Sequence, residues 1–441
     1  MAALTPAIET DPIGAAAIRA VTWRIVPFLM LCYFVAFVDR VNLSFAALQM
    51  NHDLGFSATV YGWGAGLFFI AYFICEVPSN LLLEKVGARR WIARIMVSWG
   101  LVSACMALVS GVTSFYVVRF LLGAAEAGFF PGVILYLTFW FPREHRARIV
   151  GIFMVAIPVS SFLGSPISGA LLGTDGWLGL RGWQWLFILE AIPAVILGVA
   201  VLFLLPDKPH NAAWLADDQR AWLVNKLASE NTRATGLSTP SLWELLKHPR
   251  VLVLALVYAG SVATNYGLTY WQPQMLKAFG LSNLATGFVN AIPFFVGSIA
   301  MILWGRRSDR VGERVWHTAI ALIVSAIGLA ACLYITALVP TVIALSVALI
   351  GCYALKGPFW ALSTEWLSAA TAAAGIAQIN AIGNLAGFVG PFLLGYIKDA
   401  TGSYALGLLP MILLAVVAAI AVLIMGRQPA GKPVPARAGA D

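Results

Sequence analysis

Asn80-Leu-Leu-Leu-Glu84-Lys85-Val-Gly87-Ala-Arg89-Arg90 and Gly305-Arg-Arg-Ser-Asp309-Arg310-Val-Gly312-Glu-Arg314 decide how this chain is read. Each stretch places an acid, a base, a glycine and an arginine directly after a long apolar run. Glu84 to Asp309 is 225 residues, and Gly87 to Gly312 is again 225. A second pair repeats at nearly the same offset: Phe162-Leu-Gly164-Ser-Pro166 answers Phe388-Val-Gly390-Pro391, and Gly169 answers Gly395. In a chain of 441 residues this is a duplication of half the length. Such a repeat is expected of a two-bundle membrane transporter with its site between the halves.

Composition agrees with that reading. Hydrophobic residues make up 60% and charged residues only 11%, against about 25% charged in a soluble domain. A soluble fold of this length could not bury so much apolar surface. A soluble enzyme, a disordered chain and a disulfide scaffold are therefore excluded. Cys32, Cys75, Cys105, Cys332 and Cys352 lie in apolar runs without ligand spacing and read as buried thiols. The net charge of +8 reads as a topology signal rather than a nucleic-acid footprint.

A helix needs about 20 apolar residues to cross a bilayer. Twelve segments qualify, at about 24–46, 59–83, 91–110, 114–139, 149–173, 185–205, 251–275, 284–304, 315–337, 339–363, 373–397 and 403–425. Residues 1–20 are polar and Ala-rich, and the first apolar run is too long for a signal peptide, so no cleavable leader is expected. The N-terminus, the connections after even-numbered segments and the C-terminal tail together carry 22 of the 28 Lys and Arg; the opposite side carries 3. The positive-inside rule then puts both termini in the cytoplasm, with the chain multi-pass in a plasma membrane, expected to be a bacterial inner membrane. The expected organisation is a six-helix bundle over 1–205, a cytoplasmic linker over 206–250, a second bundle over 251–425 and a tail over 426–441. Within the linker, Asn211–Ser229 reads as an amphipathic helix lying along the membrane face, with Trp214, Leu215, Trp222, Leu223 and Leu227 opposite Asp217, Asp218, Arg220 and Lys226.

The repeated cytoplasmic motif resembles that of the major facilitator superfamily. Further motifs, spread over most of the chain, resemble its anion:cation symporter family. They are Asp39-Arg40-Val-Asn42, Pro78-Ser-Asn80, Gly87-Ala-Arg89, Arg119-x6-Glu126-Ala-Gly128 and Gly182-Trp-Gln-Trp185-x3-Leu189-Glu190. Pro358-Phe-Trp360-Ala361 and Asn380-x3-Asn384-x2-Gly387-Phe-x-Gly390-Pro391 complete the set. That family includes permeases for tartrate, phthalate, 4-hydroxyphenylacetate and sugar acids, and is similar to sialin and the vesicular glutamate carriers. The resemblance implies an all-α polytopic fold of twelve transmembrane helices in two pseudo-symmetric six-helix bundles. It also implies proton-coupled symport of a small organic anion by alternating access.

The buried charges can be read independently of the resemblance. A charge at the bilayer centre costs about 2.5–3.5 kcal/mol or more, so it needs a partner or a function. Seven lie inside segments: Asp39, Arg40, Glu76, Arg119, Glu126, Glu190 and Lys356. Arg119 and Glu126, nearly two turns apart, share a helix face. Asp39 and Arg40 lie ~100° apart around their helix and can border one cavity. Asp39 and Arg119 should have similar depth, which permits a contact. Either Arg40 or Arg119 meets an anionic substrate while Asp39 and Glu126 carry protons, or the set is a static ion-pair network tying segments one and four together. The resemblance implies the first.

Lys356, outside the family motif, is a candidate for a second substrate carboxylate, for a local acid or for snorkelling. The resemblance adds Tyr72, Trp360, Asn380 and Asn384 as substrate-contact candidates. Asn265, Tyr266 and Tyr270 are candidates for the outer vestibule. Glu76 is expected to support the kinked end of segment two, and Glu190 to be structural. Glu84 with Arg89, and Asp309 with Arg314, are expected to form cytoplasmic gate contacts. Phe37 stands where some sugar-acid carriers have Tyr, which favours a less hydroxylated or aromatic acid.

His52, His145, His210, His248 and His317 lie in loops or at segment ends, so no metal site is expected. There is no Gly-Lys-Ser/Thr phosphate loop, so the proton gradient is the expected energy source and no cofactor is expected. The expected partners are a small organic anion, protons and lipid, with the protein a monomer. Competing functions are exchange or export of an acid or drug, and a membrane sensor that binds its ligand without moving it. An intramembrane enzyme is disfavoured, since no nucleophile–base set is present.

Overall fold

The computed structural model describes residues 11–232, 248–367 and 369–427. The expected tail beyond 427 and the linker stretch 233–247 lie outside the described residues. The described chain is helical throughout, without strands. Eleven stretches are long and apolar enough to cross a membrane. They are Pro12–Asp53, Ala58–Leu83, Ala88–Leu108, Val112–Thr138, Arg143–Thr174, Gly182–Leu204, Pro249–Lys277, Asn283–Val311, Leu338–Trp366, Gln378–Thr401 and Tyr404–Gly426. The ninth expected segment is the shorter apolar helix Val315–Ala331. All twelve expected segments are thus helical, and they are numbered here in chain order.

The duplication extends to helix starts. Ser57 and Ser282, again 225 residues apart, each cap a helix by accepting a backbone N–H, from Val60 and Ala285 respectively. A serine at this position satisfies one of the orphan donors of the first turn. Gly87 and Gly312 end the same two helices with positive φ, +96° and +71°. A side chain would be strained there, which accounts for glycine at both places in the repeat.

Segment one is longer than expected. Its helix runs over Pro12–Asp53, 42 residues, and starts where the Asp11 carboxylate accepts from the Ile13 amide. At 1.5 Å per residue it spans about 63 Å, twice a bilayer core. The extra turns pack against the linker helix, which covers Asp217–Thr232 rather than 211–229. Leu215 and Leu223 are buried and Trp214 stacks on Trp140. Lys226 pairs with Glu144 at 3.2 Å. The apolar face expected on the membrane surface is therefore packed, in good part, on protein.

Segments two and eleven, five and eight, and one and seven pack across the two halves of the chain. Their cross-half contacts concentrate at the end opposite the chain termini. There the Asp399 carboxylate accepts from the Ala58 and Thr59 amides at 3.0 and 2.7 Å. The Tyr61 hydroxyl donates to the Tyr270 carbonyl at 2.9 Å, and Asn290 donates to Ser165 at 2.9 Å. Glycines bring the backbones together: a methyl group at Gly62 would lie 2.6 Å from the Pro391 carbonyl, and one at Gly287 would lie 2.6 Å from the Ser165 carbonyl. The two halves are held together at that end.

Candidate functional site

Segment four is broken in its middle. Its first helix ends at Glu126 and the next begins at Phe129. Gly128, at φ +86°, makes the turn. The break is pinned from segment two, where the Ser79 hydroxyl donates to the freed Ala127 carbonyl at 2.7 Å and accepts from the Trp91 indole at 3.0 Å. Glu126 therefore stands at a helix end inside the bundle, fully buried.

Arg40 meets it there. Its Nε and Nη2 both donate to Glu126 Oε1, the first at 2.9 Å. Glu126 Oε2 has no hydrogen-bond partner among the described residues. Arg40 Nη1 donates to the Tyr266 hydroxyl at 2.8 Å, which carries the cluster into the second half of the chain. The guanidinium is bordered by rings: Phe37 at 4.8 Å, Phe68 at 5.3 Å and Tyr72 at 5.7 Å. A buried guanidinium is stabilised by such faces when water is excluded.

The Asp39–Arg119 contact that their shared depth permits is not made. Asp39 points into segment three, where its carboxylate accepts from the Trp99 indole at 3.0 Å, from Asn42 at 3.0 Å and from the Ser103 hydroxyl. Arg119 instead donates to the carbonyls of Gly64 and Ala65 at 3.1 and 3.3 Å, beside the Phe68 and Tyr270 rings. It has no carboxylate within 4.0 Å among the described residues. The adjacent residues Asp39 and Arg40 diverge by one helical step, so only Arg40 faces segment four. Glu190 accepts from the Ser168 hydroxyl at 2.7 Å, in keeping with a structural place.

On the second half, the Lys356 ammonium lies 4.6 Å from the Tyr353 ring. It begins the helix Lys356–Trp366, after a break in segment ten. Cys352 and Trp360, one turn either side, both face segment seven: the Cys352 thiol meets Ser261, and the Trp360 ring lies 5.1 Å from Tyr258. That spacing turns Lys356 toward segment seven as well. No carboxylate pairs with it among the described residues.

Glu76 departs from its expected local role. It reaches across the halves to Asn380, whose amide donates to Glu76 Oε1 at 3.4 Å. The Tyr258 hydroxyl donates to Asn380 Oδ1 at 3.3 Å, and Asn384 faces the same carboxyl. Trp99, Ser103 and Tyr258 were not singled out from sequence. Their types are ordinary in apolar helices, and only the three-dimensional contacts mark them.

At the terminus-bearing end, Arg314 pairs with Asp309 at 2.8 Å and approaches Glu365 at 3.5 Å. Arg89 is engaged by Asp207 instead: its amide donates to Oδ1 at 2.9 Å, and its Nε lies 4.0 Å from Oδ2. The Glu84 side chain lies outside the described residues.

The family model described as Major Facilitator Superfamily matches residues 29–360 and 272–440. The chain belongs to the major facilitator superfamily. It is 56% identical over 410 residues to a protein of Agrobacterium vitis named "Putative tartrate transporter", covering 93% of this chain and 94% of that protein. It is 42% identical over 392 residues to the quinolone resistance transporter of Acinetobacter baumannii, covering 89% and 90%. Among solved structures, a bacterial homologue of the human lysosomal transporter Spinster superposes with a TM-score of 0.75 at 18% identity, covering 91% of this chain and 96% of that one. Proteins of this superfamily are transporters rather than enzymes, and the chain is a multi-pass membrane transporter.

Proposed function

We propose that the protein is a proton-coupled symporter of a small organic carboxylate. The observation that carries the proposal is the Arg40 cluster. One guanidinium gives two hydrogen bonds to Glu126 and a third to Tyr266, in the other half of the chain. Protonation of Glu126 removes the charge that holds Arg40. The freed edge of the guanidinium fits a substrate carboxylate bidentately. Tyr266 then links substrate binding to the second half. Asp39, held by three neutral donors, is the second proton carrier. Arg119 and Lys356 supply further positive charge, and Tyr72, Trp360, Asn380 and Asn384 line the path of the substrate.

The two six-helix halves rock about this site, so that it faces one side and then the other. The contacts at Asp399 and Gly62 break when the site opens outward. The terminus-bearing side then closes, with Asp309–Arg314, already paired at 2.8 Å in this state, and Glu84–Arg89 steadying the closed form. Both termini lie in the cytoplasm of a bacterial inner membrane, and the protein works as a monomer, with the proton gradient as its energy source and no cofactor. The tartrate named for the Agrobacterium relative supports a carboxylate substrate. The quinolone named for the Acinetobacter relative keeps export as a second reading.

The test is uptake of a labelled carboxylate into proteoliposomes under an imposed proton gradient, acid outside. Accumulation that Glu126→Gln abolishes supports symport. Counterflow that persists in that variant shows binding and rocking intact without coupling. Extrusion along the opposite direction would favour the export reading.

A further inference from the structure

Glu76 lies four residues after Tyr72 on segment two, hence on the same helix face. The Tyr72 ring borders Arg40 at 5.7 Å, so Glu76 lies one turn from the Arg40 cluster, toward the terminus-bearing side. It is partly buried, with no cation within 4.0 Å among the described residues. An acid in such a place needs a reason. Its hydrogen bond from Asn380 is long, 3.4 Å, and Asn380 is itself held by a 3.3 Å bond from Tyr258. Ordinary bonds of this type are nearer 2.9 Å. The group is loosely engaged, and Asn384 adds another amide beside it. The Tyr258 ring packs on Phe359 and Trp360 at 5.5 and 5.1 Å, which gives the subsite an aromatic wall.

The geometry points to a hydroxyl-binding subsite formed by Glu76, Asn380 and Asn384, which makes the substrate a hydroxylated carboxylic acid. This rests on the carboxylate reading of the Arg40 cluster. A hydroxyl group donates to the Glu76 carboxylate and accepts from an asparagine amide, so it satisfies both kinds of group at once. A bare carboxylate at the same place would meet like charge, and a bare methylene would leave polar groups unpaired. The Arg40 end takes the substrate carboxylate, while this wall reads what the rest of the molecule carries. Phe37 bears only on the Arg40 end, where its ring lies against the guanidinium, so its lack of a hydroxyl does not oppose a hydroxylated substrate.

The test uses matched acids that differ only in hydroxyl groups: L-tartrate against succinate, and D-glycerate against propionate. Binding to the purified full chain is measured by calorimetry for the wild type, Glu76→Ala, Glu76→Gln and Arg40→Ala, with each variant's melting temperature as a fold control. The wild type is expected to prefer the hydroxylated partner of at least one pair by about tenfold or more, the scale of one or two hydrogen bonds. Glu76→Ala is expected to shrink that preference to within about threefold, mainly by weakening the hydroxylated acid, and Glu76→Gln to retain part of it. Equal weakening of both acids, or a preference untouched by Glu76→Ala, overturns the subsite. Two further outcomes separate the claims. If acids bind in an Arg40-dependent way but without regard to Glu76, only the hydroxyl subsite fails. If the wild type binds no acid of either kind, the carboxylate reading fails and takes the subsite with it.

Discussion

Replacing Glu126 by Gln should strengthen substrate binding while destroying its coupling to protons. In the structure, Arg40 gives two hydrogen bonds to one carboxylate oxygen, and both side chains are nearly shielded from solvent, at 10% and 1% exposed. A substrate carboxylate must displace these bonds. The Gln carbonyl can still accept them, but as a neutral group. Arg40 stays charged, so the bonds remain charge-assisted but lose the ion–ion attraction, a loss of about 1 kcal/mol per bond within the about 1.5–3 kcal/mol that bonds to charged groups contribute. Two bonds give about 2 kcal/mol, or roughly thirtyfold in affinity. The assay is isothermal calorimetry of the purified protein with a bound acid across a pH series. The variant should bind about thirtyfold more tightly than the wild type at alkaline pH, and the wild type should approach it as the pH falls and Glu126 takes up a proton. Proton release or uptake on binding, read from the buffer dependence of the enthalpy, should fall in the variant. Weaker or unchanged binding by Glu126→Gln would refute the competition between Glu126 and the substrate.

Three further outcomes follow from the same geometry. Lys356→Gln removes a partly buried ammonium that no carboxylate pairs with among the described residues, so the variant should melt higher, by about 1 kcal/mol of stability, while binding dicarboxylates less tightly than monocarboxylates relative to wild type; thermal shift and calorimetry check the two halves of this statement. Gly62→Val and Gly287→Val place side chains against backbone carbonyls of the other half, where even a methyl would sit 2.6 Å away. Spin labels on the two outer rims should then move apart, and unchanged distances would contradict the close-approach argument. At the terminus-bearing end, burial works against ionised Glu313, but the amides of Trp316 and His317 and the His317 ring outweigh it and hold this carboxyl below its usual range. The folded state thus favours the ionised form. Its contribution is present above the ordinary glutamate pKa and is lost as the pH falls through the lowered one. Glu313→Gln should therefore lower the melting temperature at neutral pH and cease to matter near pH 3, in a thermal melt series.

The architecture was legible because it is written in long apolar runs and in the 225-residue repeat, and the serine caps at Ser57 and Ser282 extend that repeat to helix starts. The pairings were not. Sequence spacing gives direction along and around one helix, but not how two helices are rotated against each other. Asp39 and Arg119 share a depth, yet Asp39 turns to Trp99 and Ser103 while Arg40 takes Glu126. Glu76 reads as local support because its partner Asn380 is 304 residues away on a helix of the other half. The linker helix reads as amphipathic, but it packs on segment one, and Trp214 just before it stacks on Trp140. In each case the contact is decided by packing between elements distant in sequence.

The most direct test of the account is substrate-driven proton movement. Reconstituted protein with a pH dye sealed inside the vesicles should acidify the lumen when a transported acid is added outside, without any imposed gradient, and Glu126→Gln should bind the acid with no acidification. Equal acid uptake with no proton movement in the wild type, or full acidification in Glu126→Gln, would contradict the claim that Glu126 is the proton carrier which frees Arg40.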